Sequence, residues 1–310
     1  MNLKLTLRTT TNTDYEFGRC VSFFFTKDAY TPYTLFEGVF LTEKTDIANI
    51  KEVIFSVDQT DIHYGLLDSV DFCTLQGYKI IKVKSKGFTS LLCQNQPKPG
   101  LKPDSDLATL MSEFDIPNVT YESTSLLNYI YIKEGSTLWD AAANFNFRLN
   151  GGYPYIEGTN NVRVTLKTPS EKTVSENDII KTGIIYDYSK IISHLHMKDV
   201  DGTYDAFSRS NLFAINRRLI RHKQIPLDMQ YLSAPDSGLL FKLNFSQRGC
   251  RCHYVQYIGY SGEDLNDMVS FGDVSLQRIK KIELSGGKGT VKTLLGVYSC
   301  LLYTSDAADD

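Results

Sequence analysis

Apolar and polar residues alternate through much of residues 1–84. Leu3, Leu5 and Leu7 recur at every second position, and Ile54 and Ser56 sit opposite Phe55 and Val57. A period of two sends successive side chains to opposite faces of a strand, so one face of each segment can enter a core. Further apolar runs at Cys20–Phe25, Tyr33–Leu41 and Tyr78–Val83 predict more short strands, and their close spacing suggests a barrel or a sandwich. Near Ser85–Leu92 the pattern turns helical, and Pro97, Pro99, Gly100 and Pro103 then build a stiff linker.

Beyond the linker the period changes. Leu107, Leu110, Met111 and Phe114 form one helical stripe, with Asp104 and Asp106 at the positive end of the helix and Pro117 as its stop. Tyr129 to Ile132 read as a strand, interrupted by Gly135 and Ser136. Thr137 and Asp140 then have the spacing of a capping box, in which hydroxyl and carboxylate each satisfy an orphan amide. Leu138, Ala141, Ala142, Phe145 and Leu149 follow at helical spacing, on a helix that also holds the chain's one tryptophan, Trp139. Gly151 and Gly152 end it, and a hairpin follows with its turn at Gly158-Thr159-Asn160-Asn161.

From Lys172 onward β-character returns. Ile184–His196 is long and rich in β-formers, Cys250–Ile258 is apolar-patterned, and Leu239–Phe245 suits either a strand or a helix. Gln277–Leu284 and Thr290–Val297 predict a closing hairpin around Ser285–Gly289. The fold class read from these patterns is mainly β with an α+β insert: two barrel-like β domains joined by a small α/β domain. The expected boundaries are 1–95 for the first β domain, 96–170 for the insert and 171–299 for the second β domain.

Composition agrees with sheet: 19 Tyr and 17 Phe stand against 5 Met among 310 residues. The segment CLLYTSDAAD, Cys300–Asp309, resembles a translated sequencing-library adapter, so Cys300–Asp310 is set aside as a non-native tail. The natural part is then expected to reach only to about Ser299, in an assembled environmental read that lacks its true C-terminus. Without the three aspartates of that tail, 33 acidic residues balance 33 basic ones. Neutrality argues against a nucleic-acid binder driven by electrostatics. The N-terminal stretch MNLKLTLRTTTNTDYEFG lacks the long apolar run of a signal peptide, and no stretch approaches a membrane span.

Candidate chemistry is sparse. Cys20, Cys73, Cys93, Cys250 and Cys252 have neither a paired framework nor zinc spacing, which favours free thiols. His194 and His196 share a strand face, with only Asp199 near enough to join them as a ligand, and a plain polar face is the preferred reading. Gly286-Gly287-Lys288-Gly289 lacks the phosphate-loop spacing and reads as a hairpin turn. Arg217, Arg218, Arg221, His222 and Lys223 form a dense basic cluster, expected on a solvated or interface face because no aromatic residues are interleaved for base stacking. Glu263, Asp264 and Asp267 are expected as solvated loop charges rather than an acid/base pair. No catalytic, cofactor-binding or metal-binding residue is assigned.

Two resemblances sharpen the picture. Gly135-Ser136-Thr137-Leu138-Trp139-Asp140-Ala141-Ala142 resembles the opening of a LysM motif, a binder of the peptidoglycan sugar backbone. That resemblance would make Trp139 a sugar platform, against the commoner role of a core anchor. A broader resemblance runs through VKSKGFTSLLCQNQPKPG (83–100), YIKEGSTLWDAAANF (131–145), RSNLFAINRRLIR (209–221) with LLFKLNFSQRGCRCHYVQYIGY (239–260), and RIKKIELSGGKGTVKTLL (278–295). In order and spacing these segments resemble the baseplate hub family of phage tails, including the late-control D type.

The hub resemblance implies two barrel-like domains joined by an insert, and three copies assembled as a ring of six barrels. Such a ring joins the tail tube or tape-measure side to a spike or cell-wall-lytic protein, and DNA passes through it without sequence-specific binding. The family has no catalytic residues to transfer. Its products belong to the virion tail or baseplate and assemble in the cytoplasm of a bacterial host. The alternative from another class is a peptidoglycan-binding, LysM-like module of a cell-wall lytic protein. A hydrolase whose acids converge only in three dimensions is a third.

Overall fold

The computed structural model describes residues 1–199, 201–204, 206–226 and 234–299; the adapter-like stretch 300–310 lies outside them. The described chain is mainly β, with 47% of residues in strands and 15% in helices, as the alternating pattern predicts. Its described residues divide into two compact units, one made of 1–182 with 255–296, the other drawn from 183–254 with 297–299.

The first unit opens with seven strands: β1 (Leu3–Thr9), β2 (Asp14–Phe17), β3 (Cys20–Asp28), β4 (Leu35–Leu41), β5 (Ile50–Val57), β6 (Thr60–Leu75) and β7 (Tyr78–Gly87). The predicted face is the buried one: Leu3, Leu5 and Leu7 are all but inaccessible, and so are Phe36, Phe40 and Phe55. Phe36 stacks on Phe55 with ring centroids 4.5 Å apart. The turn between β6 and β7 is Gln76-Gly77, both at positive φ, the geometry that joins two twisted strands with two residues.

The chain then makes a short 3-10 turn, Phe88–Cys93, where the pattern suggested helix. The insert comprises β8 (Gly100–Ser105), α1 (Leu107–Met111), β9 (Thr120–Tyr121), β10 (Leu127–Ile132), α2 (Leu138–Asn150), β11 (Tyr155–Glu157) and β12 (Asn161–Arg163). Asp106 caps α1, its carboxylate accepting from the Thr109 N–H at 2.7 Å. Helix α1 ends at Met111, well short of the stop expected at Pro117, so Phe114 leaves the stripe and is exposed.

Helix α2 follows the sequence closely. Thr137 and Asp140 form the reciprocal capping box, and Gly151 ends the helix in the left-handed conformation that glycine adopts at little cost. Its buried face, Leu138, Trp139, Ala141, Ala142 and Phe145, shares one core with Leu92, Leu107, Met111, Ile130, Ile156 and Val162.

The rest of the chain adds β13 (Glu171–Thr173), β14 (Ile179–Tyr186), β15 (His194–Met197), β16 (Phe207–Ser210), α3 (Leu212–Asn216), β17 (His222–Ile225), α4 (Pro235–Ser246), β18 (Arg251–Ile258), β19 (Met268–Phe271), β20 (Val274–Arg278), β21 (Lys281–Gly287) and β22 (Thr290–Tyr298). Strands β21 and β22 form the expected closing hairpin and return to the opening strands, giving the order β22-β21-β3-β4-β7-β6-β5-β1-β2. Two glycines permit that return. A Cβ on Gly287 would lie 2.1 Å from the Val21 carbonyl oxygen, and one on Gly286 would lie 2.0 Å from that of Thr290.

In the second unit β15 pairs antiparallel with β16 and parallel with β17. Two expectations change here. The Ile184–His196 run is broken, because Asp187 turns the chain by accepting the Ser189 N–H at 2.8 Å. The ambiguous Leu239–Phe245 segment is helical, within α4, which starts with Pro235 in its first turn and buries Leu239 and Leu243.

Candidate functional site

The loop after β18 carries three acids that each form an ion pair, and here the expectation fails. Glu263, Asp264 and Asp267 are not solvated loop charges. Glu263 is 7% exposed and Asp267 5%, and each of the three acids meets a lysine. Buried charges persist where they are paired and hydrogen-bonded, and all three meet that condition.

Lys27 of β3 is 4% exposed and forms an ion pair with Asp264, while its ammonium also donates to the Gly158 carbonyl at 2.7 Å. The second oxygen of Asp264 takes the Gly158 N–H at 2.7 Å. One cation and one anion therefore clamp both backbone groups of the β11–β12 turn. Lys167 pairs with Asp267 at 2.8 Å, and Asp267 also accepts the Ser170 and Asp264 N–H groups at 2.9 and 2.8 Å. Lys172 pairs with Glu263, which accepts from the Tyr257 hydroxyl at 2.7 Å and the Ser261 N–H at 3.0 Å.

These contacts set the protonation of the site. Burial alone would raise the Glu263 carboxyl, but donors from Lys172, Ser261 and Tyr257 outweigh it and hold the group below the usual carboxylate range. Burial, followed by the charge of Glu263, pushes the Tyr257 phenol far up. Each of the three acids is paired with a lysine, and the arrangement joins the opening sheet, the insert and the 257–267 segment.

One sequence signal could have revealed it. Lys27 stands in register with Phe23 and Phe25 on the buried face of β3, and a lysine on an apolar face implies a buried acid nearby. The acid itself lies 237 residues away, beyond the reach of a local pattern.

Trp139 is 4% exposed, and its Nε1–H donates to the Tyr153 hydroxyl at 3.2 Å. It is a core anchor, with Phe145 fully buried in the same cluster, and it offers no open face to a sugar.

The histidine pair gains a third member. His222 of β17 lies beside His194 across the parallel pairing, with rings stacked 4.1 Å apart, and His196 Nε2 sits 3.4 Å from His222 Nδ1. Asp199 does not join them; it closes its own turn by accepting from Thr203. Among the described residues no group of three or more His, Cys, Asp or Glu is disposed to hold a metal ion. Cys250 and Cys252 are both buried.

The basic cluster is partly spent on its own backbone. Arg217 lies over the Phe213 ring and donates to the Phe213 carbonyl at 3.3 Å, and Arg221 donates to the Tyr188 and Ile191 carbonyls. Arg218, His222 and Lys223 are left exposed. No described helix is long and apolar enough to cross a membrane.

No protein-family model and no curated protein matches this sequence. Solved structures do. A tail protein from Neisseria meningitidis aligns with a TM-score of 0.71 at 13% identity, over 96% of this chain and 97% of its own. A 43 kDa tail protein of a Shewanella oneidensis prophage gives 0.67 at 12% identity, over 95% and 97%. A component of the Escherichia coli type VI secretion system, itself described as structurally similar to bacteriophage tail proteins, gives 0.53 at 8% identity, over 91% and 74%. The chain shares the fold of these tail proteins and of the type VI secretion component.

Proposed function

We propose that this chain is a structural, non-enzymatic component of a phage or prophage tail, acting as a baseplate hub. The observation that carries the reading is the end-to-end match to two tail proteins, which leaves almost no part of either chain unaligned. The ionic clamp supports it, because its charges are consumed in fixing segments to one another.

In this reading three copies assemble as a ring, with the barrel-like domains 1–95 and 171–299 around its wall and the insert 96–170 set between them. The ring connects the tail tube or tape-measure side to a spike or cell-wall-lytic protein and lets DNA pass without reading its sequence. It forms in the cytoplasm of a bacterial host and ends in the virion. Edge strands that would be liabilities in a monomer become ring contacts. The alternative, a peptidoglycan-binding LysM-like module, loses its sugar platform because Trp139 is buried.

The test is the solution mass of the chain by light scattering across a concentration series, followed by electron microscopy of the assembled species. A trimer that images as a ring supports the reading. A monomer at every concentration that also fails to associate with its tail-tube and spike neighbours sinks it.

A further inference from the structure

A cavity of about 460 Å³ in the first unit borders the ionic clamp, with Tyr155 accepting the Lys167 N–H at 3.2 Å. Its walls include Tyr30, Tyr153, Tyr155, Leu166, Asn266 and Lys280. The volume is in the range of small-molecule and side-chain pockets, and three phenol rings supply an apolar lining with polar tips.

Lys280 is the unusual member. Its ammonium donates to Asn266 Oδ1 at 2.6 Å, and among the described residues it has no carboxylate within ion-pair distance. Asn266 is 1% exposed and held by its own backbone bonds to Ile279 and Arg278, so the acceptor is fixed in place. Every other lysine near this region has an acid: Lys27, Lys167, Lys172 and Lys281 all form salt bridges. A half-buried ammonium whose hydrogen bond goes to a neutral amide, with Asp28 acting on it only from beyond ion-pair distance, is under-compensated, and an anion in direct contact would complete it. A second group near the same wall is also unsatisfied. Asn146 is 1% exposed with neither end of its amide bonded, and it lies close to Gly152, which lines the cavity.

We infer that this cavity binds a carboxylate carried on an apolar or aromatic body, the carboxylate pairing with Lys280 and the body lying among Tyr30, Tyr153 and Tyr155. This inference goes beyond the tail-hub reading and does not depend on it. The anion is a carboxylate of modest size because a single ammonium balances one charge, while the tyrosine walls reward a ring or alkyl chain. Burial, reinforced by Arg278 and only partly offset by Asp28, pushes the Lys280 ammonium down to about 8, in keeping with a cation that has no carboxylate in direct contact.

Trp139 provides the readout. It is the chain's one tryptophan, and its ring meets Tyr153 edge-on at 6.1 Å, so a ligand against Tyr153 will change its emission. The full chain is titrated with 3-phenylpropanoate, with the neutral 3-phenylpropanamide of the same shape, and with inorganic phosphate. The expected result is a saturable change with the acid and at least about tenfold weaker binding of the amide. The variant Lys280→Met, with folding checked by circular dichroism, is expected to bind acid and amide equally. Blocked pentapeptides with a central Glu or Gln separate the sources. Tighter binding of the Glu peptide than of the free acid identifies a protein segment, and the reverse order identifies a small organic acid. Equal binding of acid and amide to the unaltered chain overturns the proposal, as does no binding of the acid up to about 1 mM or binding of phosphate alone. The acid–amide comparison stands even if the variant fails to fold.

Discussion

Lys27 and Asp264, 237 residues apart in the chain, meet as an ion pair that also grips both backbone groups of Gly158. Three distant stretches are thereby fixed at one point by two side chains. Removing one partner leaves the other charged and buried, a situation that costs about 3–5 kcal/mol in comparable sites. Asp264→Ala is expected to lower unfolding stability by that order. The paired replacement Lys27→Met with Asp264→Leu should recover much of it, because neither charge is then stranded. Urea unfolding of the single and double variants measures this directly. A double variant as unstable as the sum of the two singles would show that the residues do not act as a pair.

The tryptophan prediction concerns the insert alone. With Trp139 4% exposed among Ala142, Phe145 and the other core residues, Trp139→Ala should cost about 3–5 kcal/mol through lost burial and the cavity left behind. Trp139→Phe keeps most of the volume and loses the bond to Tyr153, so a smaller loss is expected. Thermal melting of both variants decides it, and a melt unchanged by the alanine substitution would contradict burial of the ring.

What the sequence made legible was local. The capping box at Thr137 and Asp140, the Gly151 stop and the closing hairpin around Lys288 all arise from residues within a few positions of one another. The strands of the opening sheet were readable because one face is buried and the other is not. The acids at 263–267 were misread because their partners Lys27, Lys167 and Lys172 come from remote strands and loops. The third histidine of the stack was missed for the same reason: only the parallel pairing of β15 with β17 sets His222 beside His194. Phe114 was assigned to a stripe that the early end of α1 cut short.

The Glu263 site gives the fold an acid limit. Its carboxyl is held below the ordinary value of 4.5, so the folded state binds that proton less readily than the unfolded chain. The stabilisation is complete above the ordinary value and drains away as pH falls through the folded one. Glu263→Gln removes the charge while keeping most of the volume. It should be less stable than the unaltered chain at pH 7, and the difference should shrink as pH drops below about 4.5. Denaturation curves at a series of pH values test this; a constant difference across the series would mean that Glu263 is not the titrating group.

His63 sets a second and higher acid limit. Its side chain is fully buried beneath Phe36, with ring centroids 5.5 Å apart, and both nitrogens are used. Ser85 Oγ donates to the Leu66 carbonyl at 2.7 Å, so toward His63 it acts as acceptor, and the proton of the neutral ring sits on Nε2. Nδ1 is then the acceptor of the Thr34 hydroxyl at 2.8 Å. A second ring proton would displace that donor in a fully buried site, and burial pulls the group from 6.5 down to about 3. The unfolded chain therefore takes up a proton below pH 6.5 that the folded chain refuses, and stability falls as pH drops from 6.5 toward 3. The contribution of this one group approaches about 1.4 kcal/mol per pH unit at its steepest. His63→Gln is expected to be less stable at neutral pH, since its amide cannot restore the stacking on Phe36, but to lose this slope between pH 6.5 and 3. Stability measured by urea unfolding at half-unit pH steps should show the two curves converging on the acid side. Parallel curves would mean that the imidazole is protonated in the folded state after all, and with it that Thr34 accepts rather than donates.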